Sequence, residues 1–315
     1  MHVATEPTYT LADLENWPAC VGTWPSDGIA LAVIGHPIAH SLSPVMHNAA
    51  LANLAKTNPG FARWRYFKFD ISPDDLSRAL SLFHEKKFRG LNLTVPHKAL
   101  VVPLLHATDD FVQDAGAANT LRLTKAWWQG YNTDGFGLSA ALREDLSVEL
   151  TGTPIILLGA GGAARAAAVE CLRAPCASLW IGNRTQASLA ALVAGLKQST
   201  AFPASVKLEG FDPANPPDTL PAGALVINAT SLGLKADEGS PLDLAKIPRP
   251  AHVYDMIYRP PQTALLRQAA LLGLPFANGL SMLVHQGARS LELWTGENAP
   301  VKVMHQAVRA ASSLS

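Results

Sequence analysis

The chain has 315 residues, enough for about two domains. Hydrophobic residues make up 48 % of it and charged residues 16 %, which excludes a disordered chain and supplies material for two cores. Its 25 Lys and Arg balance 25 Asp and Glu, which excludes a broad basic face for nucleic acid or an anionic membrane surface. Cys20, Cys171 and Cys176 make neither a disulfide framework nor a CxxC pair, so a reducing, cytoplasmic setting is expected. No apolar run approaches the roughly 18 residues of a membrane helix.

Residues 1–27 carry Glu6, Asp13, Glu15 and Asp27 without an apolar core or an Arg-rich pattern. They read as a loosely docked extension, neither signal nor transit peptide. From Ile29 the pattern alternates strand and helix. IALAVIG (29–35) reads as a buried strand, and Ser43-Pro44 as a helix start, with Ser43 able to cap. That helix runs to about Lys56. WRYFKFD (64–70) is a strand, Pro73 opens a helix to about Lys87, and Phe88–Val95 contains a third strand. A second unit begins near residue 151: strand PIILL (154–158), an alanine-rich helix, a short strand at 178–181 and a helix at about 186–197. Strands at 224–228 and 252–258 follow, then a helical pattern over 280–294. Alternating strands and helices imply mostly parallel sheets.

Gly159-Ala160-Gly161-Gly162-Ala163-Ala164 follows a strand and opens a helix. This is the G-x-G-x-x-A form of the dinucleotide fingerprint, in which backbone and helix N-terminus receive the pyrophosphate. An NAD site carries an acid about 20 residues on, for the ribose hydroxyl. Here that position reads Gly182-Asn183-Arg184-Thr185. Arg184, aided by Asn183 and Thr185, suits the 2′-phosphate of NADP instead. No metal is expected.

In the first unit, Ser41 and Ser43 lie after a strand at a helix N-terminus, where hydroxyls suit a carboxylate. Asn92 and Thr94 alternate onto one face of LNLTVPHK, and Lys98 follows at the strand's carboxyl end, where open α/β sheets bind ligands. Asn119 in GAANT and Asp134 in NTDG are either turn residues or site residues.

The segments VIGHPIAHSLSPVMHN (33–48), NLTVPHK (92–98), GAANT (116–120), NTDG (132–135), GAGGAARAA (159–167), NRT (183–185), INATSLG (227–233), YDMIY (254–258) and NGLSMLVHQ (278–286) together resemble the shikimate dehydrogenase family, in its order and spacing. The resemblance implies NADPH-dependent reduction of 3-dehydroshikimate to shikimate, in aromatic amino-acid biosynthesis. It implies Lys98 as the catalytic lysine and Asp134 as its partner. Ser41 and Ser43, with Tyr258, would take the carboxylate. Asn92, Thr94, Asn119 and Gln286 would hold the ring hydroxyls. Gly159 to Ala164 and Asn183 to Thr185 would hold the cofactor, with Thr230, Met282 and the Gly279 backbone at its nicotinamide end. The expected fold is α/β with two domains. An N-terminal, mostly parallel substrate domain (28–136 plus 278–315) would regain the C-terminal helices, and a Rossmann-type NADP domain would span 137–277, with the site in the cleft between them. Ser188 stands where the family often has a second basic residue, and GAANT replaces GAVNT. A monomer or homodimer acting on a small molecule is expected. Quinate/shikimate and aminoshikimate-type dehydrogenases are the alternatives, and a non-catalytic NADP-binding sensor is the reading from another class.

Overall fold

The structure is a computed structural model that describes residues 6–312 apart from 23, 24, 26, 201 and 236. Contacts divide the chain into two units, residues 1–133 with 286–315, and residues 134–285.

The first unit runs α1 (Leu11–Glu15), β1 (Ile29–Gly35), α2 (Ser43–Leu54), β2 (Trp64–Asp70), α3 (Leu76–Glu85), β3 (Gly90–Leu93), α4 (His97–Leu100), β4 (Ala107–Thr108), α5 (Asp110–Ala115), β5 (Thr120–Leu123) and β6 (Trp128–Tyr131). Its sheet has the order β2-β1-β3-β5-β6-β4. The β2, β1 and β3 strands are parallel, whereas β5 pairs antiparallel with both β3 and β6. The parallel part therefore reverses direction of winding between β1 and β3, a switch point where loops diverge and leave a crevice.

One face of this sheet is aromatic. Phe67 and Phe69 point there from alternate positions of β2 and meet Phe83 and Phe88. The expectation of a loosely docked N-terminal extension is corrected here for its described part. Tyr9 donates its N–H to the Lys68 carbonyl (2.9 Å) and accepts from the Asp70 N–H (2.8 Å), adding a bridge to the edge strand β2. Thr10 and Asp13 form a capping box on α1. Leu14 is buried, and Trp17 packs edge-on against Phe67 with centroids 4.8 Å apart. The segment shields an edge that would otherwise offer unpaired backbone groups.

The second unit contains α6 (Asp134–Leu146), β7 (Pro154–Leu158), α7 (Gly162–Arg173), β8 (Ser178–Gly182), α8 (Gln186–Gln198), β9 (Lys207–Phe211), β10 (Leu225–Asn228), β11 (His252–Asp255), α9 (Ala264–Leu271) and β12 (Phe276–Asn278). Its sheet is parallel throughout, in the order β12-β11-β10-β7-β8-β9. Counted along the unit this is the doubly wound dinucleotide-binding order, with its switch point between β7 and β10. Ile156, Leu158, Val226 and Val253 bury this sheet against Leu265 and Leu266 of α9. The helices α10 (Leu280–Thr295) and α11 (Val301–Ser312) close the chain, and α11 packs on α2 in the first unit.

Candidate active site

In the first unit the candidate residues gather at the carboxyl ends of β1 and β3. Thr94 donates its N–H to the Ile34 carbonyl (3.0 Å), and His36 donates to the Val95 carbonyl (3.0 Å), so the two loops leave the sheet side by side. After β1 the chain turns at 38–41, closed by the Ser41 N–H to the Ile38 carbonyl (3.1 Å). Ser41 Oγ then accepts the Ser43 N–H at 3.3 Å. Ser43 is not the cap that its place before Pro44 suggested. Leu42 holds that position without a side-chain bond, and Ser43 is the first helical residue, its hydroxyl directed at Tyr66. Pro44 has no N–H to satisfy, which makes a capping bond there unnecessary.

Asn92 and Thr94 part company: β3 ends at Leu93, and Thr94 lies beyond it, half-buried. Asn92 is only 6 % exposed and sits in a polar network. Its amide group offers two hydrogens to three acceptors, the Asn119 carbonyl (3.1 Å), Thr120 Oγ1 (3.0 Å) and Ser290 Oγ (3.0 Å). Its Oδ1 accepts the Tyr66 hydroxyl at 2.7 Å. Asn119 Oδ1 in turn accepts the Thr133 N–H (2.8 Å) and the Thr120 hydroxyl (3.0 Å). Its amide nitrogen donates to Gln286 Oε1 at 3.2 Å. Asn92, Asn119 and Gln286 are thus brought together, and their carboxamides are fixed from below.

Lys98 lies in the single turn of α4 and is half-buried. Its carbonyl accepts the Ala118 N–H (2.8 Å), which ties it to the strand start bearing Asn119. His97 anchors the same turn: it is fully buried, with Nε2 on the Ile71 carbonyl at 2.8 Å. Burial lowers its pKa, keeping the ring neutral beside the lysine. Asp134, buried, is the first residue of α6 and follows the Thr133 that Asn119 holds.

In the second unit the candidate residues gather at the switch point. Gly159 has φ +116°, a region a side chain rarely adopts, and a Cβ there would lie 3.0 Å from the Ala229 carbonyl oxygen. Gly161 precedes α7 with no side-chain cap, and the space where its Cβ would stand is open. Gly162, Ala163 and Ala164 begin a helix whose first N–H groups have no side-chain cap, with Ala160 in the turn before them. This suits a pyrophosphate. Asn183, Arg184 and Thr185 follow β8; Asn183 donates to the Thr185 carbonyl (2.8 Å), and Arg184 is exposed. Thr230 is held through both its N–H (3.0 Å) and its hydroxyl (2.7 Å) on Asn228 Oδ1. Asn228 donates to Asp255 Oδ1 (3.0 Å), and Thr263 donates to Asp255 Oδ2 (2.6 Å). Burial raises the Asp255 pKa, opposed by these two hydrogen bonds and by a third from the Ile257 N–H (3.0 Å). Tyr258 is half-buried in the loop after β11. Gly279 leads into α10 against the Met256 backbone, where a Cβ would fall 2.0 Å from the carbonyl oxygen, and Met282 is buried in the first turn.

Residues 33–121 match the shikimate dehydrogenase substrate binding domain, and residues 279–309 the shikimate 5′-dehydrogenase C-terminal domain. Over 286 residues the chain is 40 % identical to the shikimate dehydrogenase (NADP(+)) of Moorella thermoacetica, a match covering 90 % of this chain and 94 % of that protein. The chain belongs to the shikimate dehydrogenase family. A shikimate dehydrogenase solved with NADP+ is similar at TM-score 0.80 and 32 % identity, over 91 % of this chain and 96 % of that one. The Thermus thermophilus shikimate 5-dehydrogenase, solved with NADP(H) and shikimate, is similar at TM-score 0.77 and 35 % identity, over 90 % of this chain and 99 % of that one.

Several residues that brace the candidate residues within each unit of this member of the shikimate dehydrogenase family were not singled out from the sequence as site residues. Tyr66, Thr120 and Ser290 complete the Asn92 network, and Asn228, Asp255 and Thr263 brace the Thr230 loop. Ser290 had one available signal, since it stands one helical turn after Gln286 on α10. Asp255 sits inside YDMIY, where a buried acid at a strand end invites a search for hydrogen-bond donors.

Proposed function

We propose that this protein catalyses the reversible, NADP-dependent interconversion of 3-dehydroshikimate and shikimate. The observation that carries the reading is the near full-length relationship to an NADP-dependent shikimate dehydrogenase, in a chain whose polar crevice and glycine cradle each sit at a sheet switch point. The first unit would take the substrate and the second the cofactor. The Gly159–Ala164 cradle and the Asn183–Thr185 loop would hold NADP, with Thr230, Gly279 and Met282 at its nicotinamide end. When bound, that group supplies or accepts the hydride.

The remaining chemistry belongs to the chain. Reduction of the ketone builds negative charge on its oxygen, and the Lys98 ammonium stabilises that charge and donates the proton. Asp134 supplies the counter-charge that orients the ammonium. Ser41 and Ser43, aided by Tyr258, bind the carboxylate. Asn92, Thr94, Asn119 and Gln286 hold the ring hydroxyls. Carboxamides already braced by internal hydrogen bonds select strongly for partners that complete the set. Arg184 without a neighbouring acid favours the 2′-phosphate, while the neutral Ser188 removes one charge from that clamp. Among the described residues no helix is long and apolar enough to cross a membrane. We read the enzyme as cytoplasmic, monomeric or homodimeric, and acting without a metal.

The test is initial rates with shikimate and with quinate, each against NADP+ and NAD+. Shikimate with NADP+ is expected far ahead of the other pairs. Quinate with NAD+ ahead overturns the reading of both the hydroxyl pocket and the NRT loop, and no rate in any pair overturns the catalytic reading altogether.

A further inference from the structure

Lys68 lies in the middle of β2 and is 5 % exposed, a rare state for a lysine. In register it stands beside Val33 of β1, which stands beside Asn92 of β3. Its side chain therefore leaves the same sheet face as Tyr66 and Asn92, opposite the aromatic core of Phe67 and Phe69. Nζ donates to the Ala39 carbonyl at 2.7 Å. That carbonyl belongs to the 38–41 turn, and Ser41 at the end of this turn accepts the Ser43 N–H. One buried ammonium thus clamps the turn that carries Ser41 and leads into Ser43 at the start of α2.

An ammonium has three donors, and a buried cation is costly unless paired. Among the described residues Lys68 forms no ion pair within 4.0 Å. Glu6 is the acid that acts on it, and the Glu6 carboxylate is engaged by Arg65 (3.2 Å) and Asn48 (3.2 Å). Burial lowers the Lys68 pKa, consistent with a cation short of negative charge. Serine hydroxyls are neutral, so an anion on the 41–43 loop gains from a positive charge behind it.

Resting on the reading of Ser41 and Ser43 as carboxylate contacts, we propose that Lys68 is a positioning residue for the substrate carboxylate. It fixes the 38–43 loop through Ala39 and supplies the buried positive charge that selects a carboxylate over a neutral group at that position.

The test compares KM for shikimate with Ki for its uncharged methyl ester, at saturating NADP+, in wild type, Lys68→Met, Lys68→Arg and Ser41→Ala. Lys68→Met keeps the length and apolar stem of the side chain. The expected result is a rise of about ten-fold in shikimate KM, the scale of one charge acting through protein rather than water. The ester Ki, the NADP+ KM and kcat stay within about two-fold, so preference for the acid over the ester falls about ten-fold, and Lys68→Arg restores most of it. An equal change for acid and ester, or no change, overturns the proposal, since loss of packing alone does not distinguish them. If Ser41→Ala reduces the preference and Lys68→Met does not, only the role of Lys68 falls. If Ser41→Ala leaves the preference untouched, the carboxylate loop itself is misassigned and the proposal falls with it.

Discussion

The two units build their crevices from different material. In the second unit the cradle is backbone: glycines at 159 and 161, helix N–H groups, and a threonine loop tied to one asparagine. In the first unit the crevice is side chain on side chain, with Asn92, Asn119, Thr120, Thr133, Gln286 and Ser290 bracing one another. A backbone cradle tolerates side-chain change around it and fails only where a glycine is lost. A side-chain network is selective because each member fixes the next, and it is exposed to any change that removes one donor or unbalances one buried charge.

The largest effect that this difference predicts is at Lys98. Lys98→Ala removes the proposed acid–base group and is expected to lower kcat by about 10²–10⁴, with a modest change in KM. Steady-state rates in the shikimate direction check it. A kcat close to wild type would assign the proton to another group and leave the side-chain crevice with a binding role only.

The second effect is on stability and involves His47. This ring is fully buried on α2, stacked on Tyr66 at 4.1 Å and 6°, and neither nitrogen has a hydrogen-bond partner among the described residues. Burial pushes its pKa from 6.5 down to about 3. The unfolded chain takes a proton near pH 6.5 that the folded chain refuses. Stability from this residue is therefore complete above about pH 6.5 and drains away as pH falls toward 3. Between pH 7 and 4.5 the loss is about 2–3 kcal/mol. His47→Leu should flatten that part of the curve, whatever its offset at pH 7. Five of the six tryptophans among the described residues belong to the first unit, Trp180 being the exception, so urea unfolding followed by tryptophan fluorescence reads the relevant unit. Equal slopes for variant and wild type would mean that water or a proton reaches the ring in the folded state.

The same contrast explains what could be seen in the sequence. The strand at 64–70 and the strand at 154–158 are found where they were expected, because alternation and apolar runs are local signals. The glycine fingerprint is local too, since its strand, turn and helix lie within 20 residues, from Pro154 to Arg173. The side-chain network is not: Asn92 meets Ser290 across 198 positions and Thr120 meets it across 170. No window reveals such pairs, and Thr120 and Ser290 look like ordinary strand and helix residues until the sheet is assembled. Tyr9, Leu14 and Trp17 show no period and gain their burial from β2 and its aromatic face, which is why the extension read as a tail. The short β5–β6 hairpin, whose strands pair Thr120 with Tyr131 and Leu123 with Trp128, was likewise hidden by its polar and aromatic mixture.

The smallest effect concerns the one place where the second unit relies on a side chain for selectivity. The backbone cradle at Gly159–Ala164 is common to NADP and NAD, since both carry the pyrophosphate. Under the proposed function, discrimination falls to Arg184, which is exposed just after β8. Arg184→Ala should weaken NADPH binding by about 1.5–3 kcal/mol, the contribution of hydrogen bonds to a charged group, and leave NADH nearly unchanged. Nicotinamide fluorescence titrations with both cofactors measure this directly. The loop should keep its shape in the variant, because the Asn183 amide holds the Thr185 carbonyl at 2.8 Å and Gln186 reaches back to the Asn183 carbonyl at 3.2 Å. An equal loss for NADPH and NADH would mean that Arg184 supports the cradle itself, and selectivity would then have to come from Asn183 and Thr185.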